Sequence, residues 1–463
     1  MSTTAAVLLW GTRIGAVTMP DRANVASFQY DREFLASGIE VSPLLMPLRP
    51  EVYTFPSLSL ESFSGLPGLL ADSLPDRYGR ALIDAWLATQ GRSPDSFDAV
   101  ERLCYVGSRG MGALEYLPSI GPAASASQAL HVGELVELAS EVLSRRQGLV
   151  ASLAEGHAAR AMREILSVGT SAGGARAKAV IAWNPASEEV RSGQLDDLPT
   201  GFEHWLLKFD GVRSASDHDS PDPPGPGDSL TDSEGYGAVE YAYSLMARDA
   251  GVQMSECRLL HEGGRRHFMT RRFDRDDAAA TPHSHSPSKS YPHSLGKLHM
   301  QSLGALAHYD FNRPDAYSYE QAFLTMRRLG LPTAAVEQMF RRMAFNVVAR
   351  NQDDHVKNIA FLMDRAGRWR LAPAFDMTYA YRPSSPWTGL HQMSINGKRD
   401  RFTRADFTAC GRTVALPRGR ALRILDEVRD VVAHWPDYAG RVGVDDERIR
   451  RIAPALRLAL PRS

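Results

Sequence analysis

The chain has 463 residues, 43% of them hydrophobic and 23% charged, with a formal net charge of −1. That length suits two or three domains, the composition is that of an ordinary water-soluble globular protein, and the charge balance gives no global electrostatic case for nucleic-acid binding. The three cysteines, Cys104, Cys257 and Cys410, form no C-x-x-C pair, which argues against a structural zinc and points to a reducing compartment.

The start, MSTTAAVLLWG, has no basic n-region and reads as a first strand rather than a signal peptide. No apolar run approaches a membrane span, so the expected setting is cytoplasmic, with no membrane partner. Residues 5–10 and 15–19 flank Gly11-Thr12-Arg13-Ile14 as a small hairpin, and residues 26–30 add a strand. Residues 66–71 and 78–89 have helical spacing and are separated by Ser73-Leu74-Pro75-Asp76-Arg77. The glycine-rich stretch 107–114 reads as a turn, and 121–128 as a linker. Two helices follow, over 132–144 and 157–166.

Next comes SVGTSAGGARAKAVIAW, residues 167–183. Gly169, Gly173 and Gly174 let backbone N–H groups approach phosphate oxygens. It is no Walker A loop, because Ala175 stands where the lysine must be. It feeds a strand at 179–183, as a kinase-type lid does; alone, it also fits an ordinary glycine turn. The strand HWLLKFD, 204–210, carries Lys208, which shares a face with Leu206. A lysine on such a strand contacts nucleotide phosphates in kinases, although strand-end lysines are commonly just solvated. Residues 239–250 form a helix and 267–273 a strand. Segments 213–234 and 276–297 are rich in Ser, Asp, Pro and Gly and read as mobile loops. His283, His285 and His293 in the second are assigned no site.

Residues 351–380 carry the densest chemistry. From Val336 a helix presents Met339, Phe340, Met343, Ala344, Val347 and Val348 as one apolar stripe. It ends in a polar cluster, Asn351, Gln352, Asp353, Asp354, His355, Lys357 and Asn358. An apolar run at 359–363, the turn Asp364-Arg365-Ala366-Gly367 and a return at 369–372 make a hairpin that brings Asp376 back near Asp353 and Asn358. Carboxylates with an amide oxygen suit Mg²⁺, and a further carboxylate accepts a hydroxyl proton. An Asp base, an Asn ligand in D-x-x-x-x-N spacing, a hairpin and an Asp ligand form a phosphoryl-transfer layout. The spacing by itself also fits a solvated polar loop. Residues 393–398 and 404–410 continue this region, and 421–434 and 445–458 form Arg-rich amphipathic helices. Arg448, Arg450, Arg451 and Arg457 there suit either phosphate contacts or a solvated face balanced by Asp445, Asp446 and Glu447.

Asn351, Asp353, His355, Lys357 and Asn358 spell N-x-D-x-H-x-K-N, and Pro373, Phe375 and Asp376 follow as P-x-F-D. This resembles the HipA family of serine/threonine kinase toxins. SLPDRYG, S-x-x-G-A-x-x-K (Ser171, Gly174, Ala175, Lys178), the Lys208 strand, Glu240-Tyr241 and RFDR with His299-Met300-Gln301 match in the same order. The resemblance implies an α+β fold: a small β-rich N-terminal domain (1–120), then a bilobal kinase-like core (121–463) with an N-lobe at about 128–273 and a largely helical C-lobe at about 299–463. It implies ATP- and Mg²⁺-dependent phosphorylation of a protein Ser or Thr. Asp353 is then the catalytic base, and Asn358 and Asp376 hold the metal. Ser171, Gly173, Gly174, Ala175, Arg176, Ala177, Lys178 and Lys208 bind phosphates, with Glu240 as the partner of Lys208. Arg271, Arg272 and Phe273 form the adenine-side hinge; Arg271 stands where well-known relatives carry an acid. His355, Lys357 and Phe375 line the nucleotide side, and Ser171 is an autophosphorylation site. Implied partners are a protein substrate such as an aminoacyl-tRNA synthetase or another translation factor, a small helix-turn-helix antitoxin and, through it, DNA. Two rivals remain: a metal-dependent hydrolase using Asp353, Asp354, His355 and Asp376, and a catalytically silent kinase-like corepressor.

Overall fold

The computed structural model describes residues 2–122, 129–144, 165–166, 168, 176–194, 198–212, 234–275 and 296–462. The expected helix over 157–166 and the loops over 213–234 and 276–297 lie almost wholly outside these residues.

Strands β1 (Thr3–Leu9) and β2 (Thr12–Met19) form the first hairpin. Its two-residue turn has Trp10 and Gly11 at positive φ, 52° and 77°, the twist that suits tight hairpins. β3 (Ser27–Tyr30), β4 (Val52–Thr54) and β5 (Leu114–Leu117) complete a five-stranded sheet in the order β4-β3-β2-β1-β5. Its apolar face packs on Leu69, Leu70, Val100 and Leu103 from the helices of the same domain.

A second five-stranded antiparallel sheet has the order β7-β6-β8-β10-β9. Its strands are β6 (Lys178–Trp183), β7 (Val190–Ser192), β8 (Glu203–Lys208), β9 (Cys257–Glu262) and β10 (Arg265–Arg271). The helix Arg77–Thr89 belongs by sequence to the N-terminal part, yet its Tyr78 and Leu82 share one core with Leu135, Val136, Ile181 and Trp205 of this sheet region. That helix therefore packs the N-terminal domain against the N-lobe, while the five-stranded sheet of that domain keeps a separate core of its own.

The remaining strands are β11 (His299–Ser302), β12 (Tyr317–Ser318), β13 (Ala360–Met363), β14 (Trp369–Leu371) and β15 (Met393–Ser394). They pair as β11-β13-β14 and as β12-β15. Helices dominate the rest, including Tyr319–Arg328, Thr333–Val348, Arg404–Thr413 and Arg420–Val432. The stripe Met339, Phe340, Met343, Ala344, Val347 and Val348 is fully buried in their common core. The architecture is α+β: a small β-rich domain, then two lobes, the second largely helical. No helix among the described residues is long and apolar enough to cross a membrane.

Candidate active site

Lys208 ends β8, inside the cleft between the lobes. Its Nζ donates to Glu240 Oε1 and to Asp376 Oδ1, each at 2.5 Å. Burial alone lowers a lysine pKa, but Asp376 and Glu240 outweigh it and hold this ammonium above its ordinary range. Glu240 sits on the helix Tyr236–Asp249. Asp210, just beyond β8, accepts from Gly235 N through both carboxylate oxygens at 2.9 Å. That contact ties the end of the lysine strand to the start of the glutamate helix and fixes their distance.

Asp376 follows the β13–β14 hairpin and adopts φ 52°, a left-handed conformation that costs energy for a residue with a side chain and recurs at functional sites. Asn351 holds this turn: its Nδ2 donates to Asp376 O at 3.3 Å and to Asn346 Oδ1 at 2.9 Å. Burial raises the Asp376 pKa, but Lys208, Lys178 and His355 pull it below the ordinary carboxylate value.

The segment Asn351–Asn358 closes on itself. Asn358 Nδ2 donates to Asp353 O at 2.8 Å, so the D-x-x-x-x-N spacing is one turn clamped by its last residue. His355 caps the short helix Val356–Asn358, its Nδ1 accepting from Lys357 N at 3.2 Å. The Asp353 side chain is half exposed, with His355 Nε2 3.8 Å from its Oδ1. Asp354 points the other way. Its oxygens accept from Tyr319 Oη at 2.7 Å, from His391 Nδ1 at 2.8 Å and from Gln392 N at 2.8 Å. The residues placed to offer oxygen donors to a hard cation are therefore Asn358 and Asp376. No three His, Cys, Asp or Glu side chains among the described residues cluster as a closed metal site.

Phe375 and Phe273 approach with ring centroids 5.7 Å apart. With Leu298, Met300, Ala360, Leu362 and Ala372 they make an apolar cluster where the end of β10 meets the β13–β14 hairpin. The hinge arginines turn elsewhere. Arg272 is buried and donates to Asp274 Oδ2 at 2.7 Å and to Gly110 O at 3.3 Å. Arg271 lies 3.5 Å from Glu203. Asp274 and the glycine turn of the N-terminal domain hold the Arg272 guanidinium, which leaves that residue only its backbone to offer a nucleotide. Lys357 places its Nζ over the Phe311 ring at 4.6 Å. Arg176 lies over Tyr236 at 3.7 Å, and Ala177 lines the same hollow as Lys208 and Glu240. Ser171, Gly173, Gly174 and Ala175 lie outside the described residues.

Sequence reasoning did not single out two acids that shape the site. Asp210 follows the lysine strand directly, where a helix-capping role was readable only once its helix was placed. Asp76 lies inside SLPDRYG, where an aspartate before a helical stretch signals an N-cap; its second partner is Lys178, 3.1 Å away. Two of the four C-terminal arginines, Arg448 and Arg457, are occupied inside the protein. Arg457 donates to Val347 O, His391, Gln352 and Asp400, and Arg448 pairs with Asp445 and donates to Glu234 O.

The HipA-like C-terminal domain family matches residues 170–435, and the HipA N-terminal domain family matches residues 5–117. The chain belongs to the HipA family. No curated protein matches it. Among solved structures it is similar to a chain of the Shewanella oneidensis MR-1 toxin–antitoxin complex of HipA, HipB and operator DNA. The two share 15% identity over 97% of this chain and 94% of that one, with a TM-score of 0.64. At that identity the likeness concerns the fold, so what this HipA-family chain does rests on its own residues.

Proposed function

We propose that this HipA-family chain is an ATP- and Mg²⁺-dependent serine/threonine protein kinase of the toxin type. The observation that carries the reading is Lys208 bridging Glu240 and Asp376. It joins a strand lysine, a helix glutamate and the aspartate after the catalytic hairpin, the three parts a kinase aligns around nucleotide phosphates. Lys208 binds the phosphates, and Glu240 keeps its ammonium charged and aimed. The half-exposed Asp353 orients the acceptor hydroxyl and takes its proton as transfer proceeds. Asn358 and Asp376 would hold Mg²⁺; one carboxylate, one amide oxygen and the substrate phosphates suit an ion that seldom fills an all-protein cage. Bound there, Mg²⁺ offsets phosphate charge. The Phe273–Phe375 cluster gives the base an apolar bed.

The hydrolase alternative needs Asp354 as a ligand. Its oxygens already serve Tyr319, His391 and Gln392 inside the C-lobe, which favours the kinase. A small helix-turn-helix antitoxin is the proposed restraining partner, with operator DNA reached through it. The substrate is a cellular protein, with translation factors such as aminoacyl-tRNA synthetases the class to try first.

The test is intact mass of the purified chain with and without Mg²⁺-ATP, beside Asp353→Asn. Phosphate added only to wild type, and only with Mg²⁺, supports the kinase, and mapping to Ser171 adds self-modification of the loop. A wild type that neither gains phosphate nor binds ATP overturns the reading and leaves the silent corepressor.

A further inference from the structure

Lys178 and Lys208 are direct partners in the antiparallel register of β6 and β8. Direct partners project from the same face of a sheet, and like charges so placed repel. Both lysines are buried. A buried ammonium needs a carboxylate close by. Lys208 has two, both from the kinase-like core. The carboxylate for Lys178 comes from the N-terminal domain: Asp76 Oδ2 lies 3.1 Å from Lys178 Nζ, with the side chains 7% and 5% exposed.

Asp76 is also the N-cap of the helix Arg77–Thr89, its Oδ1 accepting from Gly79 N at 2.7 Å. One oxygen is thus fixed by the helix while the other faces Lys178, so the acid is a stationary anchor. Burial raises its pKa, and Lys178, the Gly79 amide and Lys357 pull against that rise. Lys357 belongs to the catalytic segment, so this acid lies among charges of both the glycine-loop strand and that segment. Its helix packs in the same core as β6. Nearby, Asp72 accepts from Ser302 N at 2.6 Å and Asp274 from Gly112 N at 2.7 Å. Those two acids fasten the domains together. Asp76 reaches a residue of the site itself.

We propose that Asp76 is a positioning residue of the nucleotide site, contributed by the N-terminal domain, which holds the Lys178 ammonium where it meets nucleotide phosphates. The inference rests on the kinase reading above. Without the acid, the Lys178 ammonium loses the carboxylate 3.1 Å from it while still facing Lys208 across the strand pair, and it shifts from its place in the cleft. The N-terminal domain is then part of the phosphate-binding machinery rather than an appendage.

The test is a double-mutant cycle on the full chain: wild type, Asp76→Asn, Lys178→Met and the pair, each measured for Mg²⁺-ATP affinity by calorimetry and for thermal midpoint. Asparagine caps a helix about as well as aspartate, so Asp76→Asn removes the charge and keeps the cap; Asp76→Ser, another good cap, serves if that variant does not fold. The expected result is about tenfold weaker ATP binding in Asp76→Asn, with a lower midpoint because the buried Lys178 loses its counter-charge, and less than about twofold weaker binding from the same change in the Lys178→Met background. Equal affinity to wild type, or an equal loss in both backgrounds, overturns the inference. Tighter binding in Asp76→Asn also overturns it, since Asp76 then competes with phosphate. A wild type that binds no ATP takes down the kinase reading first and the inference with it, and shows itself before any variant is compared.

Discussion

Asp353 and Asp354 are neighbours in the chain with opposite environments: the first opens half-exposed into the cleft, and the second is buried under three hydrogen bonds. His391 Nδ1 donates to Asp354, because its Nε2 faces the Arg457 guanidinium, which only donates. Burial lowers the His391 pKa, so this ring is neutral and holds the acid by a hydrogen bond. Sequence spacing singles out Asp353 through Asn358 but does not show that Asp354 turns into the core.

The two therefore separate function from stability. Asp353→Asn is expected to lower phosphate transfer by roughly 10²–10⁴-fold with an unchanged thermal midpoint. Asp354→Ala is expected to cost about 3 kcal/mol, because Tyr319, His391 and Gln392 N lose a charged acceptor in the core. Paired activity assays and melting curves decide it. A large stability loss in Asp353→Asn, or none in Asp354→Ala, contradicts the assignment.

Lys208 and its two acids give a second contrast. Glu240 is 2% exposed at its side chain, with Arg176 3.7 Å from its second oxygen. Glu240→Gln keeps the shape and removes the charge that aims Lys208. The expectation is a fall in ATP affinity of about tenfold or more, with a modest loss of stability, since Asp376 still pairs with the lysine. Lys208→Met leaves Glu240 without its closest cation in the cleft, and is expected to be the less stable of the two. Calorimetry beside thermal unfolding ranks them, and the reverse order would show that Asp376, not Glu240, governs the lysine.

What the sequence disclosed and what it hid divide by distance along the chain. The 336–348 stripe, the β13–β14 hairpin and the clamped D-x-x-x-x-N turn were readable because each is encoded within a few consecutive residues. The hairpin turn Gly263-Gly264, with both glycines at positive φ, was equally local, yet β9 escaped notice because its burial does not alternate cleanly. Lys208 meets acids 32 and 168 residues away. Glu240 was named only through the family's motif, and no periodicity points from Asp76 to Lys178. The hinge stretch shows the same limit. Motif order placed residues 271–273 beside the nucleotide by position alone, and only the fold shows that the Arg272 side chain belongs to the seam with the N-terminal domain.

That seam predicts a phenotype for Arg272. Burial raises the Asp274 pKa, but Arg272 and Arg275 outweigh it and hold the carboxyl well below the usual range. Removing one guanidinium leaves a buried acid half-compensated. Arg272→Gln is expected to destabilise the fold by about 3 kcal/mol while the folded protein keeps its ATP affinity. Weaker ATP binding at an unchanged melting temperature would instead put the guanidinium on the nucleotide.

His299 makes a fourth case, through pH. Its Nε2 lies 2.9 Å from Val41 O, and its Nδ1 is buried without a partner. The carbonyl accepts only, so the ring is the neutral Nε2–H tautomer, and a proton at Nδ1 is a buried donor with nothing to meet. Burial accordingly lowers its pKa from 6.5 to about 4. The unfolded chain binds that proton more readily than the folded one, so stability rises with pH between the two values. The contribution is fully present above about pH 6.5 and is lost as pH falls toward 4, on the order of 3 kcal/mol. His267, also lowered to about 4 by burial, adds in the same direction. Wild type is expected to melt at lower temperature at pH 5 than at pH 7. His299→Gln keeps a donor for Val41 but takes no proton, and should flatten that slope. Equal slopes in the two proteins would mean that His299 is already charged in the fold, and that the joint between the N-terminal domain and β11 is wetter than its geometry indicates.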